Sequence, residues 1–163
     1  MVDTAADRSP GREPILVSAC LLGLPTRYDG ASKRSQTVLD WLAREGLTPV
    51  PVCPEQLAGL PTPREQTRFA SGDGHTVIAG SGEVRTISGR IMNDPFLHGA
   101  RATLQIARLT GCRRALLKER SPSCGVHRIH RENAIVDGSG VTAALLIAAG
   151  LAVLSEADLP APD

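Results

Sequence analysis

PILVSAC, residues 14 to 20, is a short apolar run that closes on small residues, and it reads as a buried strand. After a loop, Ser35 is placed to cap a helix whose apolar face is Val38, Leu39, Trp41 and Leu42 and whose stop is Gly46. TPVPVC at 48 to 53 resumes an extended run, giving strand, helix, strand. Residues 54 to 74 (PEQLAGLPTPREQTRFASGDG) are rich in proline, glycine and polar side chains and read as a long functional connection. HTVIA at 75 to 79 and EVRTIS at 83 to 88, joined by Gly80-Ser81-Gly82, read as a hairpin. Asp94 then caps a helix with Pro95 at its first position, and Phe96, Leu97, Ala100, Leu104, Ile106 and Ala107 form its apolar stripe up to Gly111. RRALLK at 113 to 118 is the next buried strand, followed by a loop (ERSPSCGVHRIHREN), a short apolar segment AIVDG, a helix from Val141 to Ala149, and a last strand LAVL at 151 to 154.

Strands alternating with helices imply parallel strands joined by right-handed crossovers. The expected fold is therefore α/β: an open, mainly parallel sheet with helices on both faces, Rossmann-like in its three layers, plus a small hairpin. The chain of 163 residues suits one domain, expected over 14–156, with an N-terminal tail over 1–13 and a C-terminal tail over 157–163.

Composition narrows the function classes. The 18 basic residues nearly cancel the 17 acidic ones, which argues against a domain devoted to gripping nucleic-acid backbone or an anionic membrane. Trp41, Tyr28, Phe69 and Phe96 are the only aromatic residues, too few for a base-stacking platform. Lys33 and Lys118 are the only lysines; the arginines that make up the rest suit bidentate recognition of phosphate or carboxylate, although most of them read better as a compositional bias of the source genome. No run approaches the ~20 apolar residues of a membrane span, and the polar start is not that of a signal peptide, so a cytoplasmic protein is expected.

In a reducing compartment the four cysteines are expected to be unpaired. Cys20 closes the first strand, Cys53 closes the second, and Cys124 follows the strand that ends at Lys118. The carboxyl ends of parallel strands share one crevice, so these three converge although they are far apart in sequence. Cys112 precedes its strand and falls about 17 to 20 Å from that crevice, as a buried or helix-end cysteine. By spacing alone the three read either as metal ligands or as small residues in tight turns, since there is no CxxC pair. Zinc would call for a fourth ligand or an open position, and His127 and His130 are the histidines near enough in sequence to be considered.

Three blocks, SACLLGLPTRYDG at 18 to 30, PVCPEQLAGLPTPR at 51 to 64 and LLKERSPSCG at 116 to 125, resemble the signature blocks of the DUF523 family, which includes thiouracil desulfidases. GSGVTAALLIAAGLAVLSE at 138 to 156 resembles its C-terminal block, so the likeness runs from Ile15 to Glu156. It implies a 4Fe-4S cluster on Cys20, Cys53 and Cys124, with one iron left free to take the sulfur of a thiolated uracil such as 2-thiouracil or 4-thiouridine monophosphate. The implied reaction is a hydrolytic, non-redox release of sulfide. PREQTRFASGDG after Arg64 and IMNDPFLHGA before the central helix depart from the family pattern.

Such chemistry needs a proton-handling group, for which Glu55 is the candidate, with Ser121 and Ser123 as hydroxyl donors. Glu55 also reads as a loop carboxylate paired with an arginine, and the serines as shapers of the SPSC turn. Arg27, Tyr28, Asp29, Arg64 and Lys118 are the candidate substrate contacts, although Asp29-Gly30 also reads as a plain turn and Lys118 as a solvated strand end. The expected partner is a small thiolated pyrimidine, with neither membrane nor nucleic acid. A homodimer would shield an exposed cluster, but no residue pattern demands one. Thiouridine in tRNA as substrate, and a non-enzymatic iron-sulfur or zinc protein, are the alternatives.

Overall fold

The computed structural model describes residues 11–161; most of the expected N-terminal tail and the last two residues lie outside that range. β1 (Glu13–Ser18) runs through the centre of a sheet. Its Ile15, Leu16 and Val17 are fully buried although they point alternately to opposite faces. Burial on both sides requires cover on both sides, and each such side chain contributes about 1.5–3 kcal/mol.

The neighbours of β1 are β2 (Leu47–Val52) and β5 (Arg114–Leu117), and β8 (Ala152–Ser155) lies beyond β5. The order is β2-β1-β5-β8 and every pairing is parallel. β2 forms an edge, with Pro49 opposite Ile15 and Pro51 opposite Val17. Ile15, Val17 and Leu116 pack on α1 (Gln36–Arg44) through Val38, Trp41 and Leu42. The α1 start is as expected, with Ser35 Oγ accepting the Val38 N–H at 3.2 Å. Leu16, Ala115 and Leu117 face the other way, onto Leu104 and Ala107 of α4 (Asn93–Thr110) and Ala143 and Leu146 of α5 (Val141–Ala148). The expected open parallel sheet with helices on both faces is the architecture found.

A second, mixed sheet was not expected at this size. Its order is β4-β3-β6-β7, from β3 (Thr67–Ser71), β4 (Glu83–Thr86), β6 (Arg128–Arg131) and β7 (Ala134–Asp137). Phe69, Val84 and Ile129 from this sheet pack on Phe96 and Ala100 of α4 and Val141 of α5. The two helices thus lie between the sheets.

Four local expectations are corrected. HTVIA is not a strand: α3 (Gly74–Ile78) occupies it, because Asp73 accepts the Thr76 N–H and Thr76 Oγ1 accepts the Asp73 N–H, a reciprocal cap that outweighs β-branched propensity. The antiparallel partner of β4 is therefore β3, inside the supposed long connection, which also holds α2 (Pro54–Leu57). The α4 cap is Met92 rather than Asp94, since Asn93 accepts the Val84 N–H at 2.8 Å and donates to the Gly82 carbonyl at 2.9 Å, tying the helix start to β4. β6 lies within the stretch read as a loop after Lys118.

α2 and α4 touch at Gly99, where a Cβ would stand 2.0 Å from the Pro54 carbonyl oxygen. Gly99→Ala is expected to force the helices apart and destabilise by roughly 1–3 kcal/mol, read as a lower urea midpoint with an unchanged slope.

Candidate active site

A cavity of about 320 Å³ opens at the carboxyl ends of β1, β2 and β5. Cys20 reaches it from a 3-10 turn, Ala19–Leu22, that directly follows β1 and closes on Gly23 in the left-handed region at φ 99°. Cys53 is the residue that caps α2, with Pro54 completing the first turn. Cys124 comes from the loop between β5 and β6, and all three line the one cavity. Cys112 lies elsewhere, buried just past the left-handed Gly111 that ends α4, with the Thr110 hydroxyl 3.2 Å from its sulfur.

Burial pushes the Cys20 thiol up to about 11, with Lys118 pulling it down and Cys53 adding to the rise. Burial likewise pushes Cys124 up to about 12, opposed by the hydroxyls of Ser18 and Ser123 and reinforced by Cys53 and Cys20. Without a cation these sulfurs keep their protons. Cys53 Sγ stands 3.7 Å from the Thr26 carbonyl and 3.9 Å from Arg64 Nη2, and Ser123 Oγ lies 3.8 Å from Cys124 Sγ.

The first turn of α2 aims Glu55 into the same space. Its Oε1 accepts from Arg64 Nε at 3.1 Å and its Oε2 from Ser123 Oγ at 3.1 Å. Ser123 Oγ is in turn 3.0 Å from Ser121 Oγ, which accepts the N–H groups of Ser123 and Cys124 at 3.2 Å each. Arg64 also donates to the Thr26 carbonyl at 2.9 Å and the Thr62 hydroxyl at 3.0 Å. A carboxylate, two hydroxyls and a guanidinium therefore form one chain that runs beside two of the thiols.

Arg27, Tyr28 and Lys118 line the cavity as well. Arg27 lies over the Tyr28 ring at 5.6 Å, and Lys118 Nζ is engaged by Glu156 at 2.8 Å. Asp29 does not line it: its side chain accepts the Ala31 N–H at 3.0 Å and shapes the turn at Gly30. Sequence reasoning missed Thr67, whose strand β3 was read as a loop, and Gln66 just before it, and it missed Lys33, Glu119 and Arg120 on the same wall. His130, considered as a ligand, is also on the wall, whereas His127 Nε2 faces the Asp158 carboxylate at 2.9 Å.

A family model described as 2-thiouracil desulfurase matches residues 15–158. The chain belongs to the 2-thiouracil desulfurase family. The matched span of that family runs from β1 to the 3-10 turn Glu156–Asp158, so it takes in all three cavity cysteines and the Glu55 chain of hydrogen bonds. A solved structure, the [4Fe-4S]-dependent thiouracil desulfidase TudS, is 43% identical with a TM-score of 0.78, over 91% of this chain and 93% of that one. The uncharacterized protein YbbK of Bacillus subtilis (strain 168) is 38% identical over 148 residues, 89% of this chain and 97% of that protein. Among the described residues no helix is long and apolar enough to cross a membrane.

The last segment of this desulfurase-family domain is fastened beside the Cys124 loop through Asp158 and His127. Hydrogen bonding to Asp158 raises His127 above its usual 6.5. Burial alone would raise Asp158, but the Ser155 N–H and the imidazole outweigh it and hold the carboxyl low. The His127 contribution to stability is full below the unfolded histidine value and is lost as pH rises through the folded one. The Asp158 contribution is present above the unfolded aspartate value and is lost as pH falls through the folded one. The fastening is thus strongest in mildly acidic solution. An NMR titration is expected to show His127 with a midpoint above 6.5, returning towards that value in Asp158→Asn.

Proposed function

We propose that the protein is a 4Fe-4S-dependent desulfidase that replaces the sulfur of a thiolated uracil with oxygen and releases sulfide. The observation that carries this reading is the meeting of three thiols, from the segments that follow β1, β2 and β5, on one cavity wall, with the Glu55–Ser123–Ser121 chain beside Cys124. The donor set fits a cluster. A cubane takes each thiolate on a different iron and so suits thiols that reach one cavity from three separate segments. The Arg64 and Ser123 donors beside two of the sulfurs are of the kind that neutralise and orient thiolate ligands.

Cys20, Cys53 and Cys124 would hold the cluster, which supplies an iron without a protein ligand as a soft Lewis acid for the substrate's sulfur. The rest belongs to the chain's own side chains. Glu55, fixed by Arg64 on one oxygen and Ser123 on the other, takes a proton from the water that adds to the thiocarbonyl carbon. Ser123 and Ser121 form a short relay by which a proton can pass towards the departing sulfur. In balance, a thiocarbonyl and a water become a carbonyl and hydrogen sulfide, with no change in electron count. Tyr28 offers an aromatic face on the wall for the pyrimidine ring.

Lys33 and Arg120 line the cavity, and among the described residues neither has a carboxylate within 4.0 Å. Two free cations on the wall favour an anionic substrate, such as the nucleoside monophosphate, over the neutral base. The test is anaerobic purification, or reconstitution, with iron and acid-labile sulfide quantified, followed by incubation with 2-thiouracil and with 4-thiouridine monophosphate. Sulfide release with the oxo product is expected, faster for the monophosphate. A folded protein that takes up no iron overturns the reading, and iron uptake without sulfide release from either compound leaves a non-enzymatic iron-sulfur protein.

A further inference from the structure

The loop between β5 and β6 carries Cys124, Ser121 and Ser123, and it has no regular secondary structure to fix it. Within it Ser121 gathers the N–H groups of Ser123, Cys124 and Gly125, and two further sets of hydrogen bonds tie the loop to its surroundings. On one side the first turn of α5 meets it: the N–H groups of Gly140, Val141 and Thr142 donate to the carbonyls of Gly125, Pro122 and Ser123 at 2.7, 2.8 and 2.9 Å. On the other side a single carboxylate oxygen, Glu119 Oε1, accepts the N–H groups of Val126, His127 and Arg128 at 2.8, 2.9 and 3.0 Å, with that of Arg120 at 3.3 Å. Successive amides converging on an anion form a nest. Here Glu119, the second residue of the loop, supplies the anion.

Several observations set Glu119 apart from a solvated surface charge. It is only 8% exposed, and its second oxygen is shut away from solvent. Its own N–H donates to Glu156 at 2.8 Å, and its carbonyl accepts from Lys118 Nζ at 3.1 Å, so its backbone is held as well. Arg120, next in the chain, sits in the left-handed region at φ 72°, a conformation a non-glycine residue keeps only when its surroundings impose it. The turn is also tight: a Cβ on Gly125 would lie 2.6 Å from the Arg128 carbonyl oxygen and 2.7 Å from that of Ser121. Helix α5 fixes the carbonyls of Pro122, Ser123 and Gly125. After Cys124 the carbonyls of Val126, His127 and Arg128 accept from Ser139, Gly138 and Arg120, and the N–H groups of the same three residues are gathered by Glu119.

We propose that Glu119 is the positioning residue of this site: by gathering the amides of residues 126–128 it sets where the Cys124 thiol and the Ser123 hydroxyl stand relative to Cys20, Cys53 and Glu55. What Cys124 binds rests on the desulfidase reading; the shaping of the loop does not. Alanine at 119 leaves three inward amides without an acceptor. Glutamine keeps one acceptor oxygen but replaces charge-assisted bonds with neutral ones of about half the strength.

The test has two arms on the full chain. In the first, amide exchange is followed by NMR in cluster-free protein. Glu119→Ala is expected to accelerate exchange at 126–128 on the order of a hundredfold, with β1 and β5 unchanged and Glu119→Gln in between. In the second, iron loss to a chelator from reconstituted protein is expected to be about tenfold faster in Glu119→Ala, with Glu119→Gln again between. Val84→Ala, a core truncation in the second sheet, controls for lowered stability and is expected to lower Tm without either change. Wild-type exchange at 126–128 in Glu119→Ala, wild-type iron loss, or equal iron loss in Val84→Ala overturns the assignment. Should Glu119→Ala fail to fold, Glu119→Gln decides: faster exchange confined to 126–128 supports it and unchanged exchange there overturns it. If the wild type takes up no iron, the function reading fails while the exchange arm still decides the role of Glu119.

Discussion

Replacing Cys20, Cys53 or Cys124 with alanine is expected to give folded proteins that hold little or no iron after reconstitution, against about four irons in the wild type and in Cys112→Ala. The contrast follows from where β1, β2 and β5 end. The three cavity thiols belong to segments that leave the carboxyl edge of the sheet, so each would be one corner of the donor set and none can stand in for another. Cys112 precedes β5 and packs in the core with Leu104 and Ala107. Its replacement removes one small buried group that does not line the cavity, at a cost of about 1 kcal/mol. Iron per chain, with circular dichroism to confirm folding, checks the result. Equal iron in all four variants would remove the cluster from these residues.

Glu55→Gln is expected to lower kcat by roughly 100- to 10,000-fold while leaving the iron content at the wild-type level. The side chain keeps its size and both neighbours but can no longer take a proton from water. The pair it forms with Arg64 is largely shielded from solvent, with 13% and 6% of the two side chains exposed, so stability also falls. The loss should stay below the roughly 3–5 kcal/mol typical of an orphaned buried charge, because Arg64 retains the Thr26 carbonyl and the Thr62 hydroxyl. Single-turnover rates measured with iron content and Tm in parallel separate the two effects. An unchanged rate would move the proton-handling role to another group.

The first sheet was legible because β1 and β5 are buried on both faces, so their apolar runs are unbroken and their ends stand out. From those ends followed the meeting of Cys20, Cys53 and Cys124. The second sheet was not legible. RIHR gives β6 one buried apolar side chain, Ile129, among charged neighbours, and the pattern of a strand with a single core residue is indistinguishable from a loop. HTVIA misled because its composition favours a strand while the deciding interaction, the Asp73–Thr76 cap, depends on two side chains finding each other. At the site, Glu55 and the two serines were visible through their nearness to cysteines. Lys118 reaches the cavity but is already engaged by Glu156, a residue 38 positions away that no local pattern connects to it. Glu119 gave no signal at all, since a glutamate between a lysine and an arginine reads as a solvated face.

The outer strand β2 carries Pro49 and Pro51 two residues apart, in pairing with β1. Proline has no N–H, so the outward margin of the sheet is short of the donors with which another chain would extend the ladder. Cys53 lies one residue past the end of this strand, where a stacked neighbour would press on the mouth of the cavity. The two prolines therefore guard against self-association along the border nearest the cavity thiols, in a chain whose apolar strands β1 and β5 are kept inside.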